Sequence, residues 1–159
     1  MKDFCVRDIV CATGGRLLCG DDNTEITNFA TNSSKAEPGF MFAPIVGERV
    51  DGHKYIESAF ECGASAALTQ SCEAVDALIL GWKENGIAAN PIVLVDDSVR
   101  AMQLAAREYE SRLSLKKVGV TGSVGKTTTK EMIACALSGG LKVFKTAGNA
   151  NSQIGVPVT

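Results

Sequence analysis

The stretch Gly119-Val120-Thr121-Gly122-Ser123-Val124-Gly125-Lys126-Thr127-Thr128-Thr129-Lys130-Glu131 constrains this chain more than any other part of it. Lys117 to Thr121 reads as a strand and Gly122 to Gly125 as a tight loop. From Lys126 onward, Met132, Ile133, Ala136 and Leu137 recur on one face of a helix. Small loop residues let backbone N–H groups converge on one point, and a helix N-terminus adds a partial positive charge there. An anion is favoured at such a place. The spacing assigns nucleotide binding to Gly122, Ser123, Val124, Gly125, Lys126, Thr127 and Thr128. The Lys126 ammonium is directed to the β- and γ-phosphates of a nucleotide, and the Thr127 hydroxyl to Mg²⁺. Lys126 and Thr127 are therefore the candidate catalytic pair. The pattern is looser than G-x-x-x-x-G-K-[ST], because Val120 stands where the first glycine belongs. A Gly-rich turn with an incidental lysine is the alternative. The flanking strand and helix argue against it.

Charge supports the same end of the chain. Net charge over the 159 residues is −2, which gives no reason to expect nonspecific binding to nucleic acid or membranes. Residues 1–113 carry ten basic and 17 acidic side chains, whereas residues 114–159 carry six and one. The basic tail suits an anionic ligand. No apolar run approaches the roughly 18 residues needed to span a bilayer, and Met1-Lys2-Asp3-Phe4 opens no secretory leader, so a cytoplasmic protein is expected. The six cysteines include no Cys-x-x-Cys pair, and the single histidine, His53, is not near a cysteine pair in the sequence. Free thiols are expected, with no metal on them.

The fold class expected is α/β, with two domains. Residues 1–113 read as a small N-terminal α/β domain, and residues 114–159 as the start of a parallel-sheet, P-loop-type domain. In the first, Val6, Ile9 and Val10 form a helical stripe that ends at Gly14-Gly15. Phe40, Phe42 and Ile45 lie near a strand period after Pro38-Gly39. Tyr55, Ile56, Ala59 and Phe60 share a helix face that Gly63 terminates. Strands at Ala66 to Thr69 and Ile92 to Val95 flank a helix around Val75 to Trp82. Asp96, Asp97 and Ser98 then open a helix with Val99, Met102, Ala106, Tyr109 and Leu113 at helical spacing. Asp96 and Asp97 read as caps rather than acid–base groups, and Trp82 as packing. His53 follows Asp51-Gly52 in a turn, where side chains tend to face solvent or ligand, and is a candidate substrate contact.

Only 33 residues follow Lys126. They provide one helix, a break at Gly139-Gly140, a strand at Leu141 to Thr146 and a loop. One βα unit needs roughly 30 residues and a parallel sheet needs several. The chain is therefore expected to be the first part of a longer protein.

Three ordered stretches resemble the ATP-dependent Mur ligases of bacterial cell-wall synthesis. The first is the loop Thr121 to Thr129. The second is Thr31-Asn32-Ser33-Ser34-Lys35, followed by Pro38-Gly39-Phe40-Met41-Phe42 and by Gly47-Glu48-Arg49-Val50-Asp51-Gly52-His53. It is similar to the family's T-D-S-R-K…P-G-D-L-F…G…D-G-H segment, which contributes to binding the UDP end of the precursor. This chain has Asn32 and Ser34 in place of the family's Asp and Arg, so an ionic contact there is missing; Ser33 remains as a substrate contact. The third is Gly148-Asn149-Ala150-Asn151-Ser152-Gln153-Ile154-Gly155-Val156-Pro157-Val158-Thr159. It is similar to the loop of members that add D-Ala-D-Ala.

The resemblance implies the partners UDP-N-acetylmuramoyl-tripeptide and D-Ala-D-Ala. It also implies ATP with Mg²⁺ and amide formation through an acyl phosphate in peptidoglycan precursor synthesis. Asn149 and Asn151 would contact substrate, or shape their loop by hydrogen bonding. The family's second metal site, carbamylated lysine and C-terminal domain have no counterpart in residues 1–159, so ligase activity is not expected of these residues alone. A Mur-type ligase for a different amine, and a noncatalytic nucleotide- or UDP-sugar-binding module, are the alternative readings.

Overall fold

The computed structural model describes residues 1–47 and 50–146. Asn149 and Asn151, with the rest of residues 147–159, lie outside the described residues, as do Glu48 and Arg49.

Among the described residues ten α-helices and strands succeed one another: α1 (Val6–Thr13), β1 (Arg16–Cys19), β2 (Asn28–Ala30), β3 (Phe40–Phe42), α2 (Ile56–Glu61), β4 (Ala66–Thr69), α3 (Glu73–Glu84), β5 (Ile92–Leu94), α4 (Ser98–Ser111) and α5 (Lys126–Ser138). The strands form one sheet in the order β1-β5-β4-β3-β2. From β2 to β5 every pairing is parallel; β1 joins β5 antiparallel, with Arg16 opposite Leu94.

Successive residues of a strand face opposite sides of a sheet, and here both sides are covered. Phe29, Met41, Ala66, Leu68 and Val93 point into a core shared with Val6 and Ile9 of α1 and with Ala101, Met102 and Ala105 of α4. Their strand neighbours Ala30, Phe42, Ala67 and Ile92 point into a second core, with Ile56 and Ala59 of α2 and Val75 of α3. The result is a three-layer sandwich. Short strands suffice because each residue is buried by one layer or the other. The face of α4 is rotated from the expected stripe, since its buried residues are Ser98, Ala101, Met102 and Ala105, while Leu113 is exposed. Small side chains let α4 approach α1, which it packs against.

The helix ends follow local chemistry. Gly14 takes the left-handed conformation (φ 67°) that closes α1. Asp97 caps α4 by accepting from the Arg100 amide at 2.6 Å. At the start of α1, Asp8 accepts from the Cys5 amide at 2.8 Å and from Arg112 Nη2, beyond the end of α4, at 2.8 Å. Partial burial pushes the Asp8 carboxyl up, but the hydrogen bonds from Arg112 and Cys5 outweigh it and hold the group below the usual carboxylate range. A depressed folded value contributes stability above the unfolded pKa of about 3.9, and that stability is lost as pH falls through the folded value. Asp8→Ala is expected to cost about 1 kcal/mol at neutral pH. Urea titrations at pH 7 and pH 3 check this: the gap between the two proteins should narrow at pH 3, and an unchanged gap would contradict the assignment.

Beyond α4 the structure departs from expectation. Lys117 to Thr121 and Leu141 to Thr146 form no strand, because a strand is held by a ladder and neither segment has a ladder partner among the described residues. Helix α5 forms as expected, yet Met132 is 68% exposed and Phe144 80% exposed.

Candidate functional site

Two places carry ligand-binding chemistry. The first is a cavity of about 370 Å³ at the C-terminal ends of β2 and β3. Open α/β sheets bind ligands at this end of their strands. Thr31, Asn32 and Ser33 border it on one side, where the chain leaves β2, and Ile45, Gly47, Val50 and Gly52 on the other. Phe42 and Tyr55 complete the lining.

Each border is set by a local device. Asn32 accepts from the Ser34 amide at 3.0 Å and from the Ser34 hydroxyl at 2.9 Å, capping the 3-10 turn Ser33–Lys35. Asn32 thus keeps the capping oxygen that an Asp would supply, and Ser34 is held by Asn32. Ser33, expected to contact substrate, borders the cavity. Opposite, the chain doubles back. Gly47 N donates to Val50 O at 3.0 Å and Gly52 N to Ile45 O at 3.1 Å, with a bridge between Val46 and Asp51. A Cβ on Gly52 would lie 2.6 Å from Ile45 N and 2.7 Å from Ile45 O, so only glycine permits this close return.

His53 departs from the expectation of a side chain facing ligand. It is 6% exposed and does not border the cavity. Its Nδ1 lies 2.6 Å from Asp51 Oδ1, and its Nε2 accepts from the Gln70 amide at 2.9 Å. Both ring nitrogens are engaged within the protein. Asp51 accepts from the His53 amide as well, at 2.9 Å; this bond and the ring contact hold its carboxyl below the usual range.

The second place is the loop before α5. Gly122 has φ 146° and Gly125 φ 82°, values that disfavour a side chain, so both glycines are required by the turn. Gly125 is the N-cap residue of α5 and no side chain caps the helix. The Lys126 ammonium folds back and donates to the Gly122 carbonyl. Thr127 and Thr128 follow in the first turn and are exposed. This donor set, an ammonium, two hydroxyls and the amides of an uncapped thirteen-residue helix, fits a polyphosphate. For Mg²⁺ the chain offers the Thr127 hydroxyl. Among the described residues there is no cluster of three acidic, histidine or cysteine side chains that could hold an ion. The six cysteines are free. Among the described residues no helix is long and apolar enough to cross a membrane.

Sequence reasoning missed the role of Asn32 as a cap and the hairpin that frames the cavity. Two signals were available. An Asn two residues before a Ser is an Asx-turn pattern, and Gly47 and Gly52 bracket a short return.

Comparison with known proteins places the chain in a family. Residues 25–110 match the family model described as "Mur ligase family, catalytic domain", and residues 120–159 match the "Mur ligase middle domain". The UDP-N-acetylmuramoyl-tripeptide--D-alanyl-D-alanine ligase of Bacillus subtilis (strain 168) is 41% identical over 138 residues, which cover 87% of this chain and 28% of that protein. Among solved structures, the UDP-N-acetylmuramoylalanyl-D-glutamyl-2,6-diaminopimelate--D-alanyl-D-alanyl ligase from Acinetobacter baumannii superposes with a TM-score of 0.79 at 30% identity, over 98% of this chain and 32% of that one. The MurF ligase from Thermotoga maritima in complex with ADP gives a TM-score of 0.67 at 36% identity, over 85% of this chain and 28% of that one. The chain spans less than a third of the length of these relatives.

Proposed function

The chain belongs to the Mur ligase family, and from that premise we propose that the protein carrying it joins D-Ala-D-Ala to UDP-N-acetylmuramoyl-tripeptide in the cytoplasm, at the expense of ATP. One observation carries this reading. A cavity framed by Thr31 to Ser33 and by Ile45, Gly47, Val50 and Gly52 shares a chain with the Lys126 loop, and that chain is 41% identical to a ligase of this specificity. In this proposal residues 1–113 hold the UDP end of the substrate, with Ser33 at the cavity border. Residues 114–159 open the ATP-binding domain, with Asn149 and Asn151 toward the substrate.

A carboxylate resists attack by an amine because its negative charge repels the nucleophile and oxide is a poor leaving group. Transfer of the ATP γ-phosphoryl group to the tripeptide carboxylate releases ADP and leaves an acyl phosphate. The dipeptide amine then attacks the acyl carbon, loses a proton, and phosphate departs. The amides from Gly122 to Lys126 hold the phosphates in place, and the Lys126 ammonium offsets the negative charge on the transferring group. For that, Lys126 must exchange the Gly122 carbonyl for phosphate oxygen. Mg²⁺ held through the Thr127 hydroxyl would supply further charge neutralisation.

The test is ADP release by the protein that carries this chain, supplied with UDP-N-acetylmuramoyl-tripeptide. Release dependent on D-Ala-D-Ala is expected. Release with a single amino acid and not with the dipeptide would move the specificity to another member of the family. ADP binding without any turnover would leave a noncatalytic module.

A further inference from the structure

We propose that His53 is a positioning residue for the UDP end of the substrate, fixing one border of the 370 Å³ cavity to the central sheet without touching the ligand. The inference rests on the reading that this cavity takes the UDP end. A backbone amide can only donate, so the 2.9 Å bond from Gln70 N makes His53 Nε2 a lone-pair nitrogen. The neutral ring then carries its proton on Nδ1 and donates it to Asp51 Oδ1 at 2.6 Å. One buried ring therefore spans two segments distant in sequence. Asp51 and Gly52 belong to the hairpin that borders the cavity, whereas Gln70 directly follows β4.

The far end of this link is itself anchored. Gln70 Nε2 donates to Asp96 O at 3.3 Å, and its Oε1 accepts from the Ser98 hydroxyl at 3.3 Å. Ser98, 1% exposed, is the first residue of α4. The series Gly52, Asp51, His53, Gln70, Ser98 thus runs from the cavity border to the layer on the opposite face of the sheet. Without the ring, the amide of Gln70 loses its acceptor and the Asp51 side of the hairpin loses its hydrogen-bonded tie to β4, while its backbone bonds, the Asp51 cap and the packing of Ile45 on the core remain. The expected consequence is a cavity that must be ordered on binding, which weakens affinity.

Two substitutions separate the halves of the link. In His53→Gln, the side-chain oxygen reaches the position of Nε2 and can accept from Gln70 N. In His53→Asn, the shorter amide reaches the position of Nδ1 and serves Asp51 alone. Ile9→Val, in α1, is a control for a small general loss of stability. UDP is titrated calorimetrically into each variant of the protein that carries this chain, and Tm is measured in parallel. His53→Asn is expected to weaken UDP binding about tenfold, the equivalent of one hydrogen bond. His53→Gln should recover most of that loss, and Ile9→Val should bind as the parent does. Equal weakening in Asn and Gln variants, or parental affinity in both, would overturn the positioning role. If the parent protein itself binds no UDP, the cavity reading falls and the role of His53 falls with it.

Discussion

Replacing Lys126 by alanine is expected to lower the rate of ADP release in the proposed reaction of the protein that carries this chain by about 10²–10³-fold, the usual cost of removing one donor aimed at charge that develops in a transition state. The fold should not suffer. Lys126 makes its side-chain hydrogen bond to the Gly122 carbonyl within the same exposed loop, and α5 starts from the left-handed Gly125, not from the lysine side chain. Lys126→Arg is expected to rescue little, because a planar fork cannot occupy the space of a compact ammonium close to a backbone carbonyl. Steady-state turnover together with ADP titration checks this. A variant that retains turnover within threefold of the parent would show that the loop does not hold the transferring phosphate.

Phe42→Ala is expected to have the largest effect on stability, about 3–5 kcal/mol. Phe42 is 1% exposed and packs in the core that includes Ile56, Ala59, Ala67 and Ile92. It also borders the cavity, so its removal enlarges the space into which UDP is proposed to fit. A single domain has only about 5–15 kcal/mol in total, which makes this loss a large fraction of it. Phe42→Leu keeps most of the volume and should cost far less. The urea midpoint reports both, and a loss below about 1 kcal/mol for the alanine variant would mean that the layer of α2 and α3 collapses into the gap.

The elements legible in the sequence were those with a strong local signal. Gly14 and Gly63 mark the ends of α1 and α2, Ala66–Thr69 is bounded by turn residues, and Asp97 announces α4. Strands β1 and β2 were not legible. They are four and three residues long, and so short a run shows no period. What makes them strands is β5 and β3 alongside, a tertiary fact. The converse error has the same cause, because Lys117 to Thr121 has strand composition and no ladder partner among the described residues. At the site, the glycine loop and Ser33 were visible as motifs. The inward turn of His53 was not, since it depends on the Gln70 amide, which only the packing of β4 brings within reach.

The sheet order bears on how the chain assembles as it is made. Strands β2 to β5 can pair in the order of synthesis, each beside its predecessor, but β1 pairs with β5 and α1 packs on α4. Helix α1 and strand β1 thus leave the ribosome well before α4 and β5, the neighbours they need. At about 5–20 residues per second, Arg16 to Cys19 and the apolar face of α1 stay uncovered for several seconds. A nascent chain cut short before Leu94 leaves them without partners, and such a product is expected to be a substrate for chaperones or proteases rather than a smaller folded unit.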